Sequence, residues 1–309
     1  MTRDESPCIL VTGATGTVGS HVVSALANRD DVSDDSDATD SSTADADGGV
    51  TVRAGVRDPA SAADRFAADV ELAEFDFERP ETWGEALAGA DRLFLMRPPA
   101  VSDVKRHITP FVDAAVRTGV ERVVYLSVVG AEKNPLLPHR RVERHLESAD
   151  ASSTFLRASF FMQNLNEVHR EEIVERDEIF VPAGGGATSF VDARDVGEVA
   201  AVALTEPGHG DRSYDVTGPA ALTYRQVARV FSAVLDRRIE YADPSIPEFA
   251  WRMRRRGFDW SYVAVMVGIY TTARLGLADR VTDDAARVLG REPRTLREYV
   301  ADYADEFRR

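Results

Sequence analysis

Short apolar runs alternate with segments of helical spacing along the first half of this chain. Runs at Cys8–Thr12, Val50–Val56, Val70–Phe77, Arg92–Met96, Arg122–Ser127 and Thr154–Arg157 are too short for helices, and they read as strands. Helical patterns fall between them at Val18–Arg29, Pro59–Ala68, Pro80–Ala88, Val104–Thr118 and Arg140–Ala149. This alternation predicts an α/β fold, a doubly wound parallel sheet covered by helices on both faces, with its ligand crevice at the carboxyl ends of the strands. From about Phe160 the pattern loosens. Leu222–Leu235, Pro247–Arg256 and Trp260–Arg274 read as helices of a smaller, mainly helical lobe. The expected division is residues 1–160 and residues 161–309, the second part also returning strands to the sheet.

One segment breaks the alternation. Asp30–Gly49 holds eight aspartates among Ser, Thr, Ala and Gly and no basic residue. It cannot bury enough apolar area to offset its ordering entropy, so it is expected to be a disordered surface insertion.

The first strand runs straight into Gly13, Gly16 and Gly19 and then into a helix. Gly13 permits the turn off the strand, Gly16 lets the backbone approach a pyrophosphate, and Gly19 lets the helix lie close on the sheet. The N–H groups around Thr15, Gly16, Thr17 and Val18 would then face phosphate from the positive end of the helix dipole. The motif in this context predicts a dinucleotide fold of the Rossmann type. Arg57 ends the second strand, where NAD-preferring folds carry an acid; a guanidinium there offers a planar fork to the 2′-phosphate of NADP. Arg53, inside the strand, is the weaker candidate. NADP(H) is therefore expected over NAD(H). Met96 and Arg97 end the fourth strand, where the backbone should border the pyrophosphate and nicotinamide ribose and Arg97 could meet a phosphate.

The G-x-x-G-x-x-G spacing behind Val11-Thr12 resembles that of the extended and atypical short-chain dehydrogenases/reductases. The stretches Val52–Pro59, Glu121–Ser127, Pro138–Asn164, Ser189–Val196 and Gly290–Tyr299 narrow the likeness to the NmrA-like branch. Its members include NAD(P)H-dependent quinone and azo reductases and cofactor-sensing regulators. The resemblance implies that Asp76 and Phe77 lie beside the adenine. It implies that Ser127 stands at the catalytic serine position, and that Phe160, Phe161, Met162 and Asn164 line a substrate pocket. It also implies that Ser189–Asp195 is a structural return strand and helix start, with Asp192 and Asp195 as a salt-bridged cap.

The Tyr-x-x-x-Lys that follows the serine in short-chain reductases is missing. His139 occupies the tyrosine-like position and Glu143 the lysine-like one. A histidine can donate a proton near neutral pH, so His139 is the candidate donor; a glutamate cannot replace an ammonium. Two functions follow. One is an NADPH-dependent reductase of a small quinone-like, azo or activated carbonyl acceptor. The other is a non-catalytic NADP(H) sensor acting through a protein partner.

Composition narrows the setting. Net charge is −15, and of 37 basic residues only Lys105 and Lys133 are lysines. Such an acidic, lysine-poor surface suits a salt-loaded cytoplasm, and it offers no basic stripe for nucleic acid or an anionic membrane. No secretory signal precedes the first strand, and no apolar run approaches the roughly 20 residues needed to span a bilayer. Cys8 is the single cysteine, expected as a small core residue. The six histidines show no H-x-x-x-H or H-E-x-x-H pair, so no metal site is expected. No G-x-S-x-G elbow is present either.

Overall fold

The computed structural model describes residues 6–30, 49–98, 100, 101 and 103–308. The expectation for residues 31–48 lies outside the described residues. The strands in chain order are β1 (Cys8–Thr12), β2 (Thr51–Val56), β3 (Glu71–Glu74), β4 (Ala90–Leu95), β5 (Arg122–Val128), β6 (Ser152–Ala158), β7 (Phe160–Phe161), β8 (Glu178–Ile179), β9 (Ala187–Val191), β10 (Ser213–Val216), β11 (Ala221–Thr223) and β12 (Glu240–Tyr241). Five helices matter below: α1 (Thr17–Asp30), α2 (Pro138–Leu146), α3 (Ala193–Thr205), α4 (Ile246–Arg255) and α5 (Trp260–Arg274).

The chain forms two compact units, residues 1–158 with 193–215, and residues 159–192 with 216–309. The first holds a seven-stranded sheet in the order β10-β6-β5-β4-β1-β2-β3. The pairs from β3 through β6 are parallel. This is the doubly wound Rossmann-like arrangement, and strand order reverses between β1 and β4, where such sheets bind their ligands. β1 is buried along its whole length, as a strand covered on both faces must be. Cys8 is a buried free thiol on that strand, its pKa pushed up by burial.

The returning segment is tied in at both ends. A Cβ on Gly197 of α3 would stand 2.7 Å from the backbone of His21 in α1, so the two helices touch through a glycine. At the other end of α3, Arg92 donates to Leu204 O at 2.6 Å and Arg122 to Glu206 O at 2.9 Å, while Arg29 bonds Thr205 Oγ1 at 2.8 Å. Guanidinium groups here complete the open carbonyls and complement the negative end of the helix dipole.

The second unit carries a three-stranded sheet, β11-β9-β7, and a two-stranded one, β12-β8, packed with helices around a core that includes Phe190, Tyr224, Phe231, Phe249 and Tyr270. The expected return strand around Ser189–Val191 is therefore not in the large sheet. It pairs with β7 and β11, and β10 is the strand that returns to the large sheet. The predicted helix at Pro59–Ala68 is a single turn, Pro59–Ala62, followed by a 3-10 turn. The one expected over Val104–Thr118 is two helices, Val104–His107 and Thr109–Thr118. Pro110 lacks the N–H that a continuous helix would need there. Among the described residues no helix is long and apolar enough to cross a membrane.

Candidate functional site: a glycine cradle and a buried ionic cluster

The turn after β1 is built for close approach. Gly13 has φ +64°, in the left-handed region, and a Cβ there would strike the Met96 methyl at 2.2 Å. A Cβ on Gly19 would stand 2.1 Å from the Gly13 carbonyl oxygen, so α1 can begin where it does only with glycine at that position. Gly16 donates to Gly13 O at 2.9 Å, and the first bond of the helix proper runs from Ser20 N to Gly16 O. The N–H groups of Val18 and Gly19 precede that bond, at the positive end of a 14-residue helix with no acid in its first turn. The backbone chemistry fits a pyrophosphate.

Thr12 locks the switch point. Its hydroxyl donates to Phe94 O at 3.0 Å and accepts from Met96 N at 2.9 Å, which joins the ends of β1 and β4. Met96 then lays its thioether methyl over Gly13 and Gly16. Arg57 is exposed at the end of β2 and has no hydrogen-bond or ion-pair partner among the described residues. Arg53 is instead held by Glu71 at 2.8 Å and by Ala88 O. Sequence reasoning missed Arg65. Asp58 caps the turn at Ala60 and Ser61, the chain doubles back, and Arg65 donates to Thr15 O at 2.9 Å, bracing the glycine turn. Arg57, Arg65 and the glycine N–H groups are thus the residues available to hold a nucleotide phosphate.

Asp76 organises the bend after β3: its carboxylate accepts from Glu78 N at 2.9 Å and its carbonyl from the Trp83 indole at 2.9 Å. Phe77, expected beside the adenine, is a core residue in this structure. Its ring is buried edge-on against Phe75 and Phe111, 4.7 and 5.3 Å between centroids, where it packs in the core.

Arg97 also turns inward. It donates to Pro98 O and Val101 O, both at 3.0 Å, beside the buried Tyr125. Burial holds the Tyr125 phenol protonated well above its ordinary range. Burial, reinforced by the Arg97 charge, lowers the His139 imidazole to about 4, the nearby Glu143 carboxylate opposing only in part. The ring is neutral at physiological pH. His139, the candidate proton donor, thus stands beside Arg97, Tyr125 and Glu143 with its imidazole pKa lowered.

Ser127 is buried and donates to Glu143 Oε1 at 2.7 Å. The same carboxylate, fully buried on α2, accepts from Arg157 at 3.0 Å and 3.1 Å and from Arg140 at 3.0 Å. Burial alone would push the Glu143 carboxyl up, but the Arg157 guanidinium, the Ser127 hydroxyl and Arg140 together hold it below the usual range. A buried carboxylate is tolerated only with such complete pairing. Ser127, at the catalytic serine position that the resemblance implies, is bonded into this ionic cluster. Glu143, which cannot do the work of a lysine, organises that cluster instead.

The proposed pocket residues lie in the second unit. Phe160 packs edge-on against Phe190, 5.5 Å between centroids, and Phe161 pairs with Val191. Met162 is buried and lines a small apolar cavity of about 200 Å³ with Phe190, Leu222 and Leu296. Asn164 opens a short helix and is partly exposed. Asp192 and Asp195 are buried, the former accepting from the Gln163 amide at 2.9 Å. Among the described residues no cluster of His, Cys, Asp and Glu could hold a metal ion.

A model of the NmrA-like family matches residues 5–300. The NAD(P)H azoreductase of Xenophilus azovorans is 32% identical over 303 residues, spanning 97% of this chain and 99% of that protein. The fold matches that of the Citrobacter sp. triphenylmethane reductase complexed with NADP(H), with a TM-score of 0.78 at 24% identity over 96% of this chain and 99% of that one. It also matches the NADPH-dependent quinone oxidoreductase of Escherichia coli complexed with NADPH, with a TM-score of 0.81 at 23% identity and the same coverage.

Proposed function

The chain belongs to the NmrA-like family, and on that premise we propose that it is an NADPH-dependent oxidoreductase acting on a small acceptor such as a quinone, an azo compound or an activated carbonyl. The observation that carries this reading is the end-to-end likeness to an azoreductase in a chain whose glycine cradle is intact. The cofactor, when bound, supplies the hydride. The N–H groups at the start of α1 hold its pyrophosphate, Arg57 takes the 2′-phosphate, and Arg65 keeps the Thr15 carbonyl turned away from the anion. NADP(H) is preferred over NAD(H) on the strength of Arg57.

The chain's own side chains contribute little proton chemistry. Ser127 is bonded to Glu143, Tyr125 is buried, and His139 is neutral. Proton delivery falls to solvent, which suits acceptors whose reduced form is a stabilised anion. The acidic, lysine-poor composition favours a cytoplasm rich in salt.

The test is NADPH oxidation by the purified protein in high salt with a panel of quinones, azo dyes and activated carbonyls. Turnover with at least one acceptor is expected. Tight NADPH binding with no turnover across the panel would favour the sensor reading, which the closed Ser127–Glu143 bond also suits.

A further inference from the structure

Helix α5 buries Val263, Met266, Tyr270 and Ala273 in the core of the second unit. Its opposite face is also free of charge. Between Asp259 and Arg274 no residue is ionisable except Tyr262 and Tyr270, and the exposed positions Ser261, Val265, Gly268 and Thr272 continue to Leu275 at alternating spacings of four and three. That is the repeat of a helix pair. A helix apolar on every side belongs in an interior, yet Val265 is 59% exposed and Leu275 66%. In a chain with 29% charged residues this face is the exception.

We propose that this face is the interface of a homodimer, in which α5 packs against α5 of a second copy about a two-fold axis. Three observations select this occupant. The first is fit: Gly268 has open space where a Cβ would stand, and with Ala264 and Thr272 it gives a four-residue series of small side chains that lets two backbones approach. The second is area. Trp260 at the start of α5 is 65% exposed, Trp251 on the preceding α4 is 61% exposed, and Leu277 beyond the end of α5 is 70% exposed. Aromatic side chains bury about 150–250 Å² each, so with Tyr262, Val265, Ile269 and Leu275 the face approaches the ~800 Å² per partner of a stable interface. The third is charge. Both ends of α5 carry both signs: Arg254 lies over the Trp260 ring and 3.9 Å from Asp259, and Asp279 and Arg280 follow Arg274 and the exposed leucines. A mixed-sign rim is self-complementary in an isologous pairing. Two chains of net charge −15 also repel each other at long range, and salt screens that repulsion, so the dimer strengthens as salt rises.

Light scattering on a sizing column between 0.1 and 3 M salt tests this, with the double variant Val265→Glu/Ile269→Glu beside the parent. The expected result is a dimer at high salt that becomes a monomer in the variant, with NADPH affinity within twofold of the parent. A cysteine test is available because the only native thiol, Cys8, is buried. Gly268→Cys should form a disulfide-linked dimer on mild oxidation, while Glu175→Cys, exposed elsewhere on the same unit, should not. A parent that stays monomeric throughout, or a dimer unaffected by the double variant, would overturn the proposal. So would a parent that sediments with phosphatidylglycerol vesicles through Val265 and Ile269 while remaining monomeric in their absence, which would assign the face to lipid.

Discussion

A guanidinium that folding leaves in water keeps its full capacity for a ligand, and Arg57 is in that condition while Arg53 is not. A charge-assisted fork to phosphate contributes about 1.5–3 kcal/mol. Arg57→Ala should therefore weaken NADPH by tenfold or more and leave NADH nearly unchanged, as read by fluorescence titration. Arg65→Ala should behave differently: it frees the Thr15 carbonyl, loosens the turn, and weakens both nucleotides alike. Equal losses in the Arg57 variant would remove that residue from the phosphate. His139 supplies the other test at this scale. Loss of a general acid lowers turnover by about 10²–10⁴-fold. With its ring neutral down to about pH 4, His139→Ala should cost less than tenfold, with an unchanged pH profile between 5.5 and 8. A loss in the larger range would assign His139 the proton-donor role.

At the level of elements, the glycine turn is legible in the sequence because its chemistry is local. Three glycines spaced by three residues, a strand before and a helix after, state the conformation without reference to anything distant. Thr12, Arg65 and Glu143 are not legible in their actual roles for the opposite reason. Thr12 bonds residues more than 80 positions away at the end of β4 and just beyond it, and Arg65 reaches back 50 positions to Thr15. Glu143 invites comparison with the lysine of a familiar motif, but its partners come from three elements, β5, α2 and β6. Only the parallel pairing of Ser127 with Arg157 brings two of them side by side. Phe77 is ambiguous in the sequence because an aromatic side chain suits a core as well as a ligand face. The ionic cluster makes its own prediction. Glu143→Gln removes the buried charge that Arg157 and Arg140 share, leaving Arg140 only Glu147 and Arg157 only Glu132 at 3.7 Å, and should cost about 3 kcal/mol, a large drop in melting temperature. Ser127→Ala removes one bond to the same carboxylate and should cost about 1.5–3 kcal/mol. If the two variants melt together with the parent, the cluster is not holding β5, β6 and α2.

Across the whole molecule, buried titratable groups set the acid limit. His169 is fully buried against Tyr270 in the second unit, and burial, with Arg256 adding to it, lowers its pKa to about 3; His139 is lowered to about 4. For both, the unfolded chain takes up the proton first. Their contribution is complete above the ordinary histidine value of about 6.5 and is lost as pH falls through the folded values. Each tenfold difference in proton affinity between the folded and unfolded chain is worth about 1.4 kcal/mol. Glu143, held low, is lost in the same direction below the ordinary carboxylate range. Glu172 opposes this, because burial raises its carboxyl. The two histidines predict a melting temperature that falls steeply between pH 6.5 and 4, Glu143 adding to the loss only below that window, with His169→Asn flattening the slope. A melting temperature constant to pH 4 would show that those histidines are protonated in the fold.

The placement of α3 has a consequence for modularity. Because residues 193–215 belong to the first unit while 159–192 belong to the second, the chain crosses from one to the other three times, and the first unit is not a contiguous stretch of gene. A fragment ending near residue 160 would lack α3, and with it the packing that Gly197 makes on α1 and the carbonyls that Arg92 and Arg122 cap. Exchange of N-terminal halves between relatives would sever the same contacts. The smallest heritable piece that carries the whole first unit runs through residue 215, and it brings residues 159–192 along as passengers.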